Sequence, residues 1–547
     1  MLRRVRDEPL SSRMEAPERE TAQCTWRHVA YVLRIEQAAK IAYLAMNSQM
    51  PGIPDRDSQH PPLGTQAPVH TRQTGGLRRA LPIAILVVAA AAATVGCGLL
   101  GNTPPDLDYY ASLTTEGVRV VVTVHGGPRP TAWVGFGLAP IASVRASRRI
   151  ASVEARRSDG MALAVRPAGH STYRIDVGHA DPWVFEYVVA LDDPPADFYH
   201  RSSTHSPQHV VLIGIDVWAQ IYASPGAVSR PPQERPLCPV GEVSVSFDVA
   251  SVPPTWRVLS AEREVDFNLF RLASHPAESV FALGPYQLEQ VGHAGMRAAI
   301  HDDWTLDPST ILNTTTQLAR VLVTKLGPPP GDPALLVFTP LPPEALPSGG
   351  ARTGGMVWNR TLNLFGGMTP GLPQASREIR EMNAIFIGHE LFHLYVPWGV
   401  PITQELSWLS EGWAMHMGRT AAVEARLLGR AGNQRALREA YQHYREMGGH
   451  RAGNLQDAGL GGEEIRKLLY ARGELVFRIM SLEWQESGKP GHFDSVLWQR
   501  LLAAYDGENP LTPEIVASVL SSMVSPSTVR RYVEGTSSIT LAELGLR

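Results

Sequence analysis

Cysteine is almost absent from this chain of 547 residues: there are three, and two of them, Cys24 and Cys97, fall within the first hundred positions. Cys238 therefore has no disulfide framework to join, and it reads as a small buried hydrophobe. Lysine is confined to Lys40, Lys325, Lys467 and Lys489, so arginine carries nearly all the positive charge, a bias of GC-rich genomes that points to a bacterial source. A surplus of either charge is also lacking. The formal net charge of −3 gives no pull toward nucleic acid or anionic lipid, and no nucleic-acid partner is expected. No internal repeat, heptad array or Gly-rich phosphate loop is present, which excludes a solenoid, a long coiled coil and P-loop nucleotide chemistry.

One long apolar run stands out. Leu81 to Leu100 carries no charge, follows Arg72, Arg78 and Arg79, and is followed by Asp106 and Asp108. Basic residues on its near side place everything C-terminal to it outside the cytoplasm, on the extracytoplasmic face of the cell envelope. Thr94-Val95-Gly96-Cys97 closes the run and resembles the lipobox of bacterial lipoproteins, which implies cleavage before Cys97 and acylation of its thiol. A plain transmembrane anchor is the alternative. Residues 77–97 are read as this signal or membrane segment. Residues 1–76 are too long for the charged region of a signal peptide, so they form either an extension from a start assigned too far upstream or a cytoplasmic tail. Within them, Pro51 to Gly76 has the composition of a disordered segment.

A length of 547 residues exceeds what one hydrophobic core sustains, and two or three domains are expected. Short β-branched and aromatic runs such as Val118–Val124, Tyr173–Val177, Val184–Leu191, Val210–Ile215 and Val243–Val249 predict an all-β, sandwich-like domain over 107–255. A second domain is placed at 256–475, with a helix at Pro308–Leu326, a strand at Ala334–Thr339 and another at Met356–Phe365. Helices dominate from Ser376, a candidate N-cap, and a C-terminal helical region is placed at 476–547. The fold class is α+β multidomain.

His389-Glu390-Leu391-Phe392-His393 lies in a predicted helix that Pro397 should end. Residues four apart share a helix face, so the two imidazoles converge on one point while Glu390 projects beside them. Two histidines under-coordinate a zinc ion, and hydrolytic sites add a third protein ligand while leaving the fourth position open. Glu411 is the candidate, separated from His393 by 17 intervening residues and at the start of the next helix, a spacing that lets that helix return antiparallel. Glu405, in a loop-like context, is the alternative. One Zn2+ per chain is expected, with its bound water brought toward a pKa of about 7 and with Glu390 as the general base. His416 reads as a surface or core histidine, with an outer group orienting a ligand as the alternative, and Trp398, Trp408 and Trp413 as core.

The His389–His393 segment followed by Trp408-Leu409-Ser410-Glu411-Gly412-Trp413-Ala414 resembles the gluzincin peptidases, especially the glycyl aminopeptidase family and its larger relative, the aminopeptidase N and leukotriene hydrolase family. Tyr470-Ala471-Arg472-Gly473 is similar to their Tyr-x-Lys-Gly segment, and Arg531-Tyr532-Val533-Glu534-Gly535-Thr536 to the close of the glycyl aminopeptidase catalytic region. The resemblance implies a thermolysin-like catalytic domain behind an N-terminal β domain. It also implies an oxyanion-stabilising role for Tyr470, a substrate-lining role for Gly354, Gly355 and Met356, and a peptide or protein substrate. Two departures are visible. No PDZ domain is expected here. Val357 stands where the family's Gly-Gly-Leu-Glu-His has the acid that holds a substrate's α-amino group, so an endopeptidase or altered specificity is expected unless another acid such as Glu344 reaches the pocket.

Two further functions are compatible with the same residues: a binding or scaffolding lipoprotein that keeps the fold without turnover, and a hydrolase of a non-peptide substrate. The intact Glu390 favours activity. No sequence feature sets the oligomeric state.

Overall fold

Alternation of buried and exposed positions builds the first half of the molecule. In the strand Asp106–Thr114, Leu107, Tyr109 and Ala111 point inward while Asp106, Asp108 and Tyr110 point out. In Trp183–Ala190 the inward set is Trp183, Phe185, Tyr187 and Val189. The computed structural model describes residues 104–136, 149–169, 171–191, 202–222, 240–292, 295–304, 307–331, 334–346, 351–368, 377–448, 454–455 and 463–546. These residues belong to a compact unit spanning Asn102–Arg547. The 1–76 extension, the 77–97 segment with Cys97, Cys238 and the Ser376 cap lie outside the described residues. No described helix is long and apolar enough to cross a membrane.

A seven-stranded sheet and two four-stranded sheets form this β half around one apolar cluster that runs from Leu107 to Leu283. Buried tyrosines complete it with polar ties: the Tyr109 hydroxyl donates to the Ala219 carbonyl at 2.6 Å and that of Tyr187 to Val217 at 2.8 Å, so each hydroxyl is satisfied inside the core. The domain boundary differs from the expected one at 255. Strands Arg257–Ser260, Arg263–Asp266, Leu269–Arg271 and Val280–Gly284 all pair within the β half. A new sheet starts only at Tyr286. A two-residue period identifies a strand but not its partner, so the sheet a strand joins is invisible in its own residues.

This five-stranded sheet comprises β1 (Tyr286–Gln290), β2 (Arg297–His301), β3 (Leu335–Pro340), β4 (Ala351–Trp358) and β5 (Thr361–Met368), in the order β1-β2-β3-β5-β4. The parallel pair β2 and β3 is joined by α1 (Pro308–Leu326). That helix begins where the Asp307 side chain accepts the Thr310 amide with Pro308 in the first turn, and it stops at Gly327, whose φ of 84° suits glycine. The stretch expected as one strand, Met356–Phe365, is a hairpin instead: β4 and β5 pair antiparallel around Asn359, at φ 50°. Asparagine tolerates that left-handed conformation and so turns the chain without a glycine or proline.

Among the described residues, α2 (Arg377–Phe392) is followed by α3 (Ser407–Glu424), α4 (Arg430–Glu446), α5 (Glu463–Glu486), α6 (Phe493–Ala504) and α7 (Pro513–Met523). They share one core with the β1–β5 sheet, reaching from Val291 to Leu546. The separate C-terminal region placed at 476–547 is therefore not a separate core, and its expected boundary cuts through α5. Phe477 on α5 stacks on Trp413 of α3, with ring centroids 5.6 Å apart, and so holds the helices of the two regions together.

Candidate metal centre

The metal-ligand candidates sit at the end of one helix and the start of the next. His389 and Glu390 lie in the last turn of α2, and His393 follows it in a turn, so the helix stops before the expected Pro397. Glu411 lies in the first turns of α3. The structure brings His389, His393 and Glu411 into one group. Their donor atoms form a triangle: the two Nε2 atoms are 3.1 Å apart, and Glu411 Oε2 is 3.5 Å from each. Tetrahedral zinc with bonds of about 2.0–2.1 Å separates its donors by roughly 3.3 Å, so the triangle fits the ion. Glu405 lies in the short turn Gln404–Leu406 and is not part of the group.

Electrostatics favour a cation at the same point. Burial acts to neutralise His393, but the charge and hydrogen bond of Glu411, with Glu390 and the Val396 carbonyl, outweigh it and push the ring up to about 9. Burial likewise favours protonated Glu411, yet the two imidazoles hold its carboxyl well below the usual range.

His393 is oriented from behind. Its Nδ1 donates to the Val396 carbonyl at 3.0 Å and lies 3.2 Å from Ser410 Oγ, which leaves the Nε2 lone pair facing the triangle. His389 Nδ1 has no hydrogen-bond partner among the described residues, and its ring instead stacks on Tyr470, with centroids 6.0 Å apart and planes at 24°. Tyr470 thus borders the centre from α5. Glu390 is 5 % exposed and packs against β4: a Cβ placed on Gly355 would lie 2.6 Å from Glu390 Oε1. Glycine at 355 leaves room for the carboxyl where it sits, and Gly354, Gly355 and Met356 lie on the strand that borders the site.

Glycine also sets the helix spacing, which the sequence reading missed. A Cβ on Gly418 of α3 would meet Ile385 O at 2.5 Å and His389 N at 2.7 Å, and one on Gly412 would meet the Cα of Gly473 on α5 at 2.5 Å. The three helices touch backbone to backbone next to His389, Glu411 and Tyr470. A signal was present, since Gly412 and Gly473 adjoin the motifs, but an isolated glycine in a helix pattern does not name what approaches it. Gly418→Ala should therefore force α2 and α3 apart. We expect a loss of about 1–3 kcal/mol in stability, with weaker metal retention, read by thermal melting and metal content. An alanine variant matching the parent in both would show that the crossing is not tight.

Other candidates fall elsewhere. His416 is buried beside Asp494, at 3.6 Å, and Arg419, at 3.4 Å, so it is a core histidine. Burial would raise the Asp494 carboxyl, but His416, Trp413 and Lys325 overcome this and lower it. Arg419 and Glu474 form a buried ion pair at 2.6 Å that ties α3 to α5. Trp408 and Trp413 are fully buried as expected, whereas Trp398 is only partly buried, its indole N–H donating to the Val357 carbonyl at 3.0 Å. An indole that bonds an edge-strand carbonyl stays at the rim of the core. Val357 is buried, and Glu344 is exposed on the turn Pro343–Ala345.

No protein-family model matches the sequence, and no curated protein matches it. Solved structures do match. An aminopeptidase N family protein from Idiomarina loihiensis superposes with a TM-score of 0.65 at 13 % identity, over 80 % of this chain and 77 % of that one. An M1 zinc metallopeptidase from Deinococcus radiodurans, a mutant bound to a Tyr-Ser-Ala substrate, gives 0.50 at 15 % identity, over 81 % of this chain and 96 % of that one. At such identities the likeness is one of fold. The chain has the multidomain arrangement of mixed sheets and helices seen in these two structures.

Proposed function

We propose that the chain is a zinc-dependent peptidase of the gluzincin type, a relative of the glycyl aminopeptidases. The observation that carries this reading is the triangle of His389, His393 and Glu411, matched in size to zinc, with the Glu390 carboxyl seated beside it. His389, His393 and Glu411 would hold one ion. Bound there, zinc would supply Lewis acidity and lower the pKa of the attacking water to about 7.

The chain's own residues do the rest. Glu390 accepts the water's proton as its oxygen bonds to the amide carbonyl carbon, and returns that proton to the nitrogen as the C–N bond breaks. Tyr470, stacked on His389, offers its hydroxyl to the oxyanion. Gly354, Gly355 and Met356 of β4 line the substrate. The Deinococcus relative's Tyr-Ser-Ala ligand supports a peptide as the substrate class. The seat for Glu390 under Gly355 favours an active enzyme over a scaffold, because a chain that only binds has no need of a placed base. Incubating the purified protein with zinc, measuring the bound metal and profiling cleavage of a mixed peptide library tests the reading. Zinc-loaded protein that cuts no peptide would refute it.

The same proposal places the enzyme on the extracytoplasmic face of a bacterial envelope, anchored through an acylated Cys97. Cys97→Ser should abolish incorporation of labelled fatty acid. Incorporation in neither the parent nor the variant would instead indicate a transmembrane anchor.

A further inference from the structure

We infer that the protein grips its peptide on the amino side of the cleaved bond, in a cavity beyond the end of β4, and so cuts internal bonds with an apolar preference upstream. This rests on the peptidase reading above. β4 is the edge of its sheet: among the described residues it pairs with β5 alone, and Ala351 to Met356 are all half-exposed. Such an edge offers backbone donors and acceptors to an added strand.

Two contacts set the register of that strand. The packing of Gly355 against Glu390 marks where the reacting carbonyl lies along the edge. Two residues further on, the Val357 carbonyl accepts the Trp398 indole N–H. That carbonyl therefore faces away from β5, and Gly355, one period earlier, turns its backbone groups outward too. The indole also closes the ladder at Val357. A peptide paired with Gly355 must leave the edge there.

The space it would enter is present. A cavity of about 220 Å³ opens beside Trp398, lined by Asn359, Arg360, Leu394, Pro329 and Pro330. Asn359 lies four residues past Gly355, roughly 13 Å along a strand and within reach of the third or fourth residue of an extended peptide. Antiparallel addition, the more stable ladder, turns the amino side of the substrate toward it. The proline rings, Leu394 and the indole make an apolar wall. The Arg360 guanidinium is drawn to the buried Glu262 carboxylate at 3.3 Å, which offsets its charge. Val357, on the Gly355 face of β4 and 5 % exposed, has no charge with which to cap a substrate ammonium at that position. The path therefore continues past Val357.

The test uses zinc-loaded full-length protein and peptides built on the best library sequence. Each is made with a free or an acetylated N-terminus, and the third residue before the cleaved bond is Leu, Phe, Gly or Asp. Acetylation is expected to change kcat/KM by less than about threefold, and Leu or Phe to exceed Gly and Asp by roughly tenfold or more, the scale of filling an apolar subsite. Trp398→Ala should erase that preference while zinc content and melting temperature stay within the parent's range. If the variant is unstable, the substrate series on the parent protein decides alone. A preference of roughly a hundredfold for the free amine, the scale of an ammonium left unpaired, or indifference to the upstream residue overturns the subsite while leaving the peptidase reading intact. No cleavage of any peptide in either form overturns both.

Discussion

Glu390→Gln is expected to keep its zinc and its melting temperature while peptide hydrolysis falls by roughly a hundredfold or more, the scale of general-base catalysis. The separation follows from where the side chain sits. Glu390 is buried and its carboxyl lies against the α-carbon side of Gly355, a seat that an amide of the same shape also fills. The three proposed ligands are other residues, so the ion keeps its donors. What the substitution removes is the oxygen that takes the water's proton, because an amide is far too weak a base at neutral pH. Single-turnover rates on one peptide, with metal content and a thermal melt measured on the same sample, check all three quantities. Turnover equal to the parent's would assign the hydrolysis to another group.

His393→Ala is expected to lose most of the bound zinc and, with it, activity. His393 contributes one corner of the donor triangle, its Nε2 3.1 Å from that of His389 and 3.5 Å from Glu411. It is also the imidazole whose other nitrogen is anchored, to Val396 and Ser410, so its loss removes the most rigidly placed donor. Removing an outer group that merely orients a ligand costs about 10–100-fold in metal affinity, and removing the ligand itself should cost more. Two donors do not complete a zinc site. Metal analysis after dialysis against a weak chelator is the measurement. Full zinc content in the variant, or a parent protein that stays metal-free after incubation with zinc, would end the assignment.

The sequence exposes some features and hides others for identifiable reasons. Helices with strong apolar period and plain caps, such as Pro308–Leu326 with Asp307 before it and Gly327 after, are legible because their ends are chosen by adjacent residues. The hairpin of β4 and β5 is not, because its turn rests on one left-handed Asn359 with no glycine or proline beside it to mark the reversal. Trp398 resembled Trp408 and Trp413 by composition, and only its bond to the Val357 carbonyl separates it from the core.

Sequence alone determined the chemistry on offer: two imidazoles four residues apart with a carboxylate beside the first, gathered by one helix's periodicity, and a second carboxylate in a distinct tryptophan-rich context further along the chain. Tertiary structure decided whether those groups meet. The distance from Glu411 to the histidines depends on backbone contact at Gly418 and on the crossing of Gly412 with Gly473, and the seat of Glu390 depends on a glycine in a strand more than thirty residues earlier. Such contacts join residues far apart in the chain, and their energy belongs to the pair. Neither partner's local pattern can report it until packing has brought the two together.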